Sequence, residues 1–509
     1  MTAAPLYHWL TRRSHGVLLH PTSLPGDFGV GGFGKESFDF IDFLAEVRMH
    51  CWQVCPLGPT GYGDSPYQCL SSFAGNPYLI DPLDLSEHGL IPSEDLGPLL
   101  FLAWNHVDYG SLYEVNWPLL FQACEAFRDL PTNKHPYGDY KRFLKKNAFW
   151  LDAYSLFHAL KQHHGGEPWT SWPASCRTYE QARQNVSDPD ILARAEDHRI
   201  LQYFFHGQWK RVRRYASENG IRIIGDVPIY ASHDSADVWS HPEIFQVDPA
   251  SGELLNVAGV PPDYFSETGQ LWGNPLYNWD ELKKTGYKWW LERLRKNFEL
   301  YDIVRLDHFR GFHDYWSVPA GAEDAREGQW HAGPGLDFFK KVRKAFPDGC
   351  LIAEDLGDLS DGVFELRDNT GLPGMAILQF AFGGDGDNLY LPHHHTRNLV
   401  VYPGTHDNDT TRGWYEKLDE SARDHIRRYL RVSGDEIAWD FIRAALRSPA
   451  RLAIIPLQDL MNLGSEARMN VPGRAEGNWQ WRFQYKDLEK LKNKSGDYLR
   501  ELAELNARG

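Results

Sequence analysis

The chain has 509 residues, 42% hydrophobic and 24% charged, which is the composition of a globular protein with one large domain and insertions or with several smaller domains. Its 69 acidic and 53 basic residues give a net charge of −16, which argues against nucleic acid or an anionic membrane as a partner. The first residues lack the apolar core of a signal peptide, and no run of about 18 apolar residues predicts a membrane span. We therefore expect a cytoplasmic protein.

Cysteine and aromatic content add two expectations. Six cysteines are too few and too scattered for a disulfide framework in a chain of this length, so we expect free thiols in a reducing compartment. The chain also contains 19 Trp, 24 Tyr and 27 Phe. Aromatic side chains fill cores, but they also line sugar-binding clefts, where ring faces meet the C–H faces of pyranoses. Composition alone does not separate these two uses.

The N-terminal part contains a glycine-rich loop between two strands. Apolar residues at 14–21 and 51–56 predict the strands, and an amphipathic helix is expected over about 35–49. Residues 29–34 match the pattern G-x-G-x-x-G. A dinucleotide site needs these glycines directly after the first strand and an acidic residue near the end of the second. Residues 22–28 intervene and no such acid follows, so we expect a flexible loop and no cofactor.

A loop at 61–68 follows the second strand and combines turn formers with hydroxyl and aromatic groups, including Asp64, Ser65 and Tyr67. This composition fits an ordinary surface turn. It equally fits a polar and aromatic ledge beside the open end of a barrel.

Residues from about 83 to 220 show no convincing strand. Helical patterns lie near 114–128, 140–164 and 189–219, and Asp188-Pro189 provides a cap and a proline in the first turn of the last of these helices. The histidines at 163–164 and 393–395 lack the spacing of metal ligands, so we predict polar surface residues and no metal site.

Residues 252–280 predict a long irregular loop, rich in aromatic residues and therefore unlike a disordered linker. Loops of this length inside a domain are usually functional. We interpret it as a lid, within an insertion over 231–300 that follows the third strand.

Eight buried strands are predicted, with helical patterns between most of them, near residues 17, 53, 224, 305, 352, 377, 400 and 454. This pattern predicts an α/β fold of the (β/α)8 TIM-barrel type, with large and mostly helical insertions. We expect residues 1–509 to form a single catalytic domain, with the helical insertion over 83–220 after the second strand. We expect a last helix at about 485–507 and no C-terminal β-sandwich.

Carboxylates follow several of these strands. Asp226, Asp307, Glu354 and Asp407 come at or after the strands near 224, 305, 352 and 400. Arg305 lies two residues before Asp307, on the same face of its strand, and is its natural partner. An isolated pair of this kind would be structural. Several acids converging on one barrel mouth instead favour a reaction with a cationic transition state, such as glycosidic bond cleavage.

Longer motifs carry a family resemblance. IIGDVPIY around Asp226, RLDHFRG around Asp307, AEDLG around Glu354 and YPGTHDN around Asp407 resemble the four short motifs of retaining α-glucoside-active barrel enzymes. The flanking motifs SHGVLLHPTSLPG, GDSPYQ, VAGVPPDYFS, GQLWGNP and NVPG are similar to those of the amylomaltases, the 4-α-glucanotransferases of glycoside hydrolase family 77. The similarity extends from about residue 12 to 485.

The resemblance implies roles for individual residues. Asp307 matches the nucleophile, Glu354 the general acid/base, and Asp407 the carboxylate that holds ring hydroxyls of the distorted sugar. The remaining matches are substrate-binding positions: Tyr67, Asp64, Ser65, Asp226, Trp272, Arg305, His308 and His406. Arg305 would hold Asp307 ionised, Tyr67 would stack on the sugar ring, and Trp272 would contact the acceptor-side glucan. His308 fits an acceptor-side contact or a packed histidine. Retention predicts carboxyl groups of Asp307 and Glu354 about 5–5.5 Å apart.

The resemblance implies transfer of α-1,4-glucan segments between malto-oligosaccharides through a covalent glucosyl-Asp307, with starch- or glycogen-derived α-glucans as partners and cyclisation as a further outcome. An α-1,4-glucan hydrolase uses the same chemistry, but the expected lid at Trp272 argues for exclusion of water and hence for transfer. A glucan-binding protein without catalysis conflicts with the presence of all three carboxylates. A nucleotide-dependent oxidoreductase depends only on the loop at Gly29.

Overall fold

The computed structural model describes residues 4–249, 251–262, 267–357, 359–474 and 476–509. No helix within these ranges is long and apolar enough to cross a membrane. The strands in these ranges are β1 (Ser14–Leu18), β2 (Cys51–Gln53), β3 (Arg222–Val227), β4 (Asn256–Val260), β5 (Gln270–Pro275), β6 (Ile303–Leu306), β7 (Asp314–Pro319), β8 (Gln329–Ala332), β9 (Leu351–Ala353), β10 (Gly374–Ile377), β11 (Leu399–Tyr402) and β12 (Leu452–Pro456).

Eight of these strands form the predicted barrel. They lie in the order β10-β11-β12-β1-β2-β3-β6-β9, and every neighbouring pair is parallel. The two end strands approach each other, since the N–H of Ala353 at the end of β9 donates to the carbonyl oxygen of Pro373 before β10 at 2.9 Å. The predicted TIM barrel is confirmed, with each predicted strand position inside an observed strand or within one residue of it.

The barrel strands are apolar because both of their faces are covered. All five residues of β12, Leu-Ala-Ile-Ile-Pro, are buried, as are all four of β6. Parallel strands between a packed interior and surrounding helices require such continuous runs. Asp226 in β3 and Arg305 near the end of β6 are among the polar exceptions, and these buried charges have to find partners inside the protein.

Sixteen α-helices are described: α1 (Lys35–Glu46), α2 (Pro82–Glu87), α3 (Tyr109–Arg128), α4 (Tyr140–His163), α5 (Tyr179–Asn185), α6 (Pro189–Glu218), α7 (Ala236–Ser240), α8 (Trp279–Lys284), α9 (Lys288–Leu300), α10 (Gly335–Ala345), α11 (Asp361–Thr370), α12 (Thr411–Lys417), α13 (Glu420–Leu430), α14 (Ile437–Arg447), α15 (Leu457–Leu460) and α16 (Tyr485–Leu505). Between β2 and β3 the chain forms helices and turns, with α4 packed along α6. The Asp188 side chain caps α6 by accepting from the Asp190 N–H, as its sequence predicted.

The prediction of an irregular loop over 252–280 is wrong in part. Residues in this range form β4 and β5, which belong to a four-stranded antiparallel sheet in the order β5-β4-β7-β8. The sheet was missed because β4 pairs with β7, more than 50 residues further along the chain, and because three glycines interrupt the alternation typical of a strand. Residues 263–266 of the VAGVPPDYFS motif lie outside the described residues.

The prediction of a flexible loop at the glycine-rich segment is wrong, because residues 29–34 are buried and closely packed. A side chain at Gly31 would lie 2.2 Å from the carbonyl oxygen of Pro21, and one at Gly32 would lie 2.8 Å from that of Leu79. Gly29 adopts a φ of 77°, in the left-handed region that favours glycine. These glycines allow the chain to fold back on its own backbone before α1.

Beyond β12, the described residues form α15, a short turn of 3-10 helix and α16, and they contain no β-sandwich. The C-terminal helix was predicted over nearly the same residues. The residues after it reach the N-terminal end of the barrel, where Arg508 is fully buried and donates to the carbonyl oxygen of Ser14.

Candidate active site

A buried arginine at the C-terminal end of β6 joins two carboxylates. Arg305 lies opposite Asp226 in the register of the parallel pair β3–β6. Its Nη1 donates to both carboxylate oxygens of Asp226, at 2.7 and 2.6 Å, and to Oδ1 of Asp307 at 2.9 Å. Burial by itself would lower the pKa of Arg305, but the two carboxylates raise it well above its usual value. The predicted pairing of Arg305 with Asp307 is confirmed.

The two carboxylates differ in exposure. The side chain of Asp226 is 1% exposed, whereas that of Asp307, directly after β6, is 27% exposed. Burial is the main cause that raises the pKa of Asp226, and the charge of Asp307 adds to it. Asp226 therefore anchors the guanidinium from inside the barrel, while Asp307 faces the open end.

Glu354 follows β9 directly and is held by backbone N–H groups. Its Oε2 accepts from the N–H of His308 at 2.6 Å, and its Oε1 accepts from that of Leu356 at 3.1 Å. His308 has a left-handed conformation, with φ 49° and ψ 52°, and this sharp turn places its N–H beside Glu354. Burial, with a smaller contribution from the charge of Asp307, raises the pKa of Glu354 to about 7, against the lowering effect of Arg305.

Asp407 lies in the loop after β11 and has the opposite shift. Its Oδ1 accepts from Nδ2 of Asn470 at 2.6 Å, and its Oδ2 lies 3.3 Å from Nε2 of His406. Burial would raise the pKa of Asp407, but His406 and Asn470 hold it well below its usual range. Burial would lower the pKa of His406, but the negative charge of Asp407 raises it. Over the pH range in which Glu354 retains its proton, Asp407 is therefore ionised. Such a difference in protonation between two carboxyl groups is typical of acid–base sites.

Three aromatic rings stand on one side of these carboxylates. The Tyr67 ring stacks on His406 with centroids 4.8 Å apart and an angle of 19°. Its hydroxyl donates to Oδ2 of Asp226 at 2.8 Å. Trp479 contacts both rings, at 5.8 Å from Tyr67 and 5.7 Å from His406. The loop at 61–68 therefore does reach the barrel mouth, through Tyr67.

A second group of rings lies beside Asp307. Trp272, from β5, meets His308 edge-on at 4.7 Å, and Tyr230 lies 6.3 Å from Trp272 and 6.4 Å from His308. Burial lowers the pKa of His308 to about 4, so its ring is neutral at pH 7. The antiparallel sheet thus brings Trp272 close to the residue after Asp307.

The other two predicted residues, Asp64 and Ser65, belong to the loop that carries Tyr67. Oγ of Ser65 accepts from the N–H of Tyr67 at 3.3 Å and so supports the loop. Asp64 lies near Tyr78 and Tyr109, whose pKa values are raised by burial and then by the Asp64 charge. Within the described residues, Asp64 forms no hydrogen bond or ion pair with Asp307, Glu354 or Asp407.

Sequence reasoning missed two residues of this site. Asn470 belongs to the NVPG motif, but nothing in the sequence connected it with Asp407. Trp479 is buried and has a φ of 63°, an unusual conformation for a bulky residue that often marks functional strain. The sequence carried no signal for Trp479. Within the described ranges, no group of three or more His, Cys, Asp or Glu side chains is arranged to hold a metal ion.

Comparison with known proteins identifies the family. Residues 19–488 match glycoside hydrolase family 77, described as 4-alpha-glucanotransferase. The chain is 46% identical to the 4-alpha-glucanotransferase of Thermus thermophilus over 504 residues, which cover 97% of this chain and 99% of the relative. It is 45% identical to that of Synechocystis sp. over 480 residues, covering 93% and 94%.

A solved structure agrees with the sequence matches. The amylomaltase from Streptococcus agalactiae, in complex with acarbose, is 37% identical and superposes with a TM-score of 0.92, covering 98% of this chain and all of the other. The chain therefore belongs to glycoside hydrolase family 77, the 4-alpha-glucanotransferases, and is a glucan-transferring enzyme.

Proposed function

We propose that this enzyme moves α-1,4-glucan segments between malto-oligosaccharides in two steps that together retain the anomeric configuration. The observation that carries this proposal is the arrangement of Asp307 and Glu354. Arg305 donates to Asp307, and the N–H of the next residue, His308, donates to Glu354, a carboxyl group with a pKa of about 7. One group can donate a proton near neutral pH while the other attacks.

In the first step a carboxylate oxygen of Asp307 attacks C1 of the glucosyl unit, and the bond from C1 to the glycosidic oxygen breaks. Glu354 gives its proton to that oxygen, and the reducing-end fragment leaves. In the second step Glu354, now ionised, takes the proton from the 4-hydroxyl of an acceptor glucan. The acceptor oxygen then attacks C1 and displaces Asp307, which restores both carboxyl groups.

The surrounding residues would bind the sugar at the cleavage point. Asp407 accepts hydrogen bonds from hydroxyl groups of the distorted ring, and Asn470 and His406 keep it ionised and oriented. Tyr67 offers a ring face beside the reacting sugar, and its hydroxyl is tied to Asp226. Trp272 and His308 contact the acceptor side. Ser65 supports Tyr67, and Asp64 contributes at the outer end of the cleft.

Transfer in preference to hydrolysis requires that an acceptor hydroxyl reaches the glucosyl-enzyme before water does. We assign this role to the insertion at 231–300, whose strand β5 carries Trp272 to His308, and to the glucan chain that packs against it. Long donors could then also transfer to their own 4-hydroxyl and cyclise. Acarbose bound to the Streptococcus agalactiae relative supports an α-glucan as the substrate class.

Incubation with maltotriose tests this proposal. The expected products are glucose and malto-oligosaccharides longer than maltotriose, all with α-linkages by NMR, separated by chromatography. Products limited to glucose and maltose, with no lengthened chains, would instead establish the α-1,4-glucan hydrolase.

We also propose that the reaction takes place in the cytoplasm. The six cysteines are unpaired, and four of them are buried, which suits a reducing compartment. We propose separately that residues 1–509 form a single domain, with helical residues 83–220 inserted into the barrel. Cell fractionation with an antibody against the native protein tests the location.

A further inference from the structure

A second cavity lies outside the catalytic cleft, between α4 and the segment that follows β3. Its volume of about 390 Å³ is in the range of small-molecule sites. Its wall includes Phe149 and Trp150 of α4, Trp289 of α9, and Phe73 from the chain after β2. We call it the auxiliary pocket.

The rings of the auxiliary pocket are arranged around Phe73. Phe149 and Trp289 meet Phe73 edge-on, at 5.4 and 5.6 Å, while Trp150 is nearly parallel to it at 6.4 Å. Phe149 remains 46% exposed, although a large aromatic side chain loses stabilisation when it faces water. Phe149 and the half-buried Trp289 therefore present ring surface of the kind that packs against the C–H faces of pyranoses, while the buried Phe73 and Trp150 support them from the interior.

The charges in the lining argue against an anionic ligand. Carboxyl groups of Asp237, Glu243 and Glu292 line the pocket, and Lys288 is its one lysine or arginine among the described lining residues. Glu243 lies 3.2 Å from His241, and Glu292 accepts from Arg295 at the rim. This excess of carboxylates repels phosphate and other anions, whereas carboxylates are good acceptors for sugar hydroxyls.

The auxiliary pocket shares a wall with the catalytic site. Ser71 and Phe73 also line a smaller cavity of about 50 Å³ that includes Tyr67 and Asp226. The N–H of Ser72 donates to Oδ2 of Asp237 at 2.6 Å and ties this stretch of chain to α7. A ligand that packs on Phe149 and Trp289 is therefore separated only by Phe73 from the stretch of chain that carries Tyr67.

We propose that the auxiliary pocket binds a segment of α-1,4-glucan as a second saccharide site, separate from the cleft. The pocket holds one or two glucosyl units on its aromatic wall, and its carboxylates accept hydrogen bonds from their hydroxyl groups. The choice of ligand rests on the proposed function, because the cleft and the pocket would bind the same substrate class.

Hydrogen–deuterium exchange on the Asp307→Asn variant tests this site without turnover, so a failure of the transfer chemistry would not affect the result. Maltoheptaose is expected to slow amide exchange at 236–244 and 285–292, and Phe149→Ala in the same background is expected to abolish this protection. Glu292→Ala, at a partly exposed helical position, provides a second variant with the same expected loss. Tyr485→Ala removes an aromatic ring of similar exposure, 39%, at the start of α16 and is expected to leave the protection intact.

Absence of protection at these segments, or equal protection in the Phe149→Ala variant, would overturn the proposal. Inorganic phosphate is the second probe, and it is expected to leave exchange at 236–244 unchanged. Protection by phosphate would show that the pocket selects anions, which also contradicts the proposal.

Discussion

Both ends of the barrel bury an arginine, but the two arginines meet different partners. At the C-terminal end of the strands, Arg305 contacts the carboxylates of Asp226 and Asp307. At the N-terminal end, Arg508 is fully buried and donates to the backbone carbonyl oxygens of Ser14 and Ala450 at 2.7 and 2.6 Å.

The consequence is a difference in what each end can do. Carbonyl oxygens do not titrate, so Arg508 joins β1 to the segment before β12 without creating another charge, and burial lowers its pKa to about 9. Carboxylates do titrate, and several of them around Arg305 influence one another. In this protein Arg508, bound by carbonyl oxygens, contributes to the stability of the fold, whereas Arg305 lies among carboxyl groups whose protonation can change.

The largest expected effect is at Asp307. Asp307→Asn should lower transfer from maltotriose by about 10⁴-fold or more, because loss of a nucleophile removes the covalent step. The control is Asp302→Asn. Asp302 lies directly before β6, whereas Asp307 directly follows it, and Asp302 accepts from the Ile223 N–H and pairs with Arg213. It should retain most of the activity. Substantial transfer by Asp307→Asn, measured by initial rates of glucose release, would contradict the assigned role.

The next effect concerns Glu354 and pH. Its pKa is raised to about 7 in the folded protein, so it is protonated below pH 7 and transfer should decline as pH rises through about 7 to 9. Glu354→Gln should reduce the rate by about 10²–10⁴-fold and remove this alkaline decline. Rates across the pH range, on both proteins, check this. A wild-type decline that persists unchanged in the variant would assign the titration to another group.

A smaller effect is expected at Asn470. Asn470→Ala removes the 2.6 Å hydrogen bond to Asp407, and a hydrogen bond to a charged group contributes about 1.5–3 kcal/mol, so kcat/KM should fall by about 10- to 100-fold. Asn470→Asp places a second carboxylate beside Asp407 and should be worse. Equal activity of the alanine variant and the wild type would show that His406 alone orients Asp407.

The smallest effect on activity is expected at Arg508. Arg508→Ala leaves several buried carbonyl groups without a donor and should lower the free energy of unfolding by about 1–3 kcal/mol, with kcat unchanged at temperatures where the protein stays folded. Denaturant titration and initial rates measure the two quantities. Loss of activity in an Arg508→Ala protein of normal stability would contradict the proposed difference between the two ends of the barrel.

Sequence patterns predicted the barrel well because its signals are local. Continuous apolar runs predict buried strands, and the acid that follows β9 is visible in the sequence as Ala353-Glu354-Asp355. The cap at Asp188 likewise needs only its own neighbours. The antiparallel sheet was missed because β4 depends on β7, a partner that no local window contains.

The same distinction separates the predicted from the missed site residues. Asp307, Glu354 and Asp407 each stand just after a predicted strand. Asn470 and Trp479 reach the site on a loop after β12, and only the folded chain places them next to Asp407 and Tyr67.

The amino-acid sequence by itself determined where the strands end and that carboxylates follow several of them. Strand formation and residue identity are local properties. Only the tertiary structure decided which carboxylate keeps its proton. Glu354 is buried between backbone N–H groups and the charge of Asp307, while Asp407 is beside His406 and Asn470. A pKa depends on every charge and hydrogen bond within a few ångströms, and several of those neighbours, such as His308 beside Glu354 and Asn470 beside Asp407, lie far away along the chain.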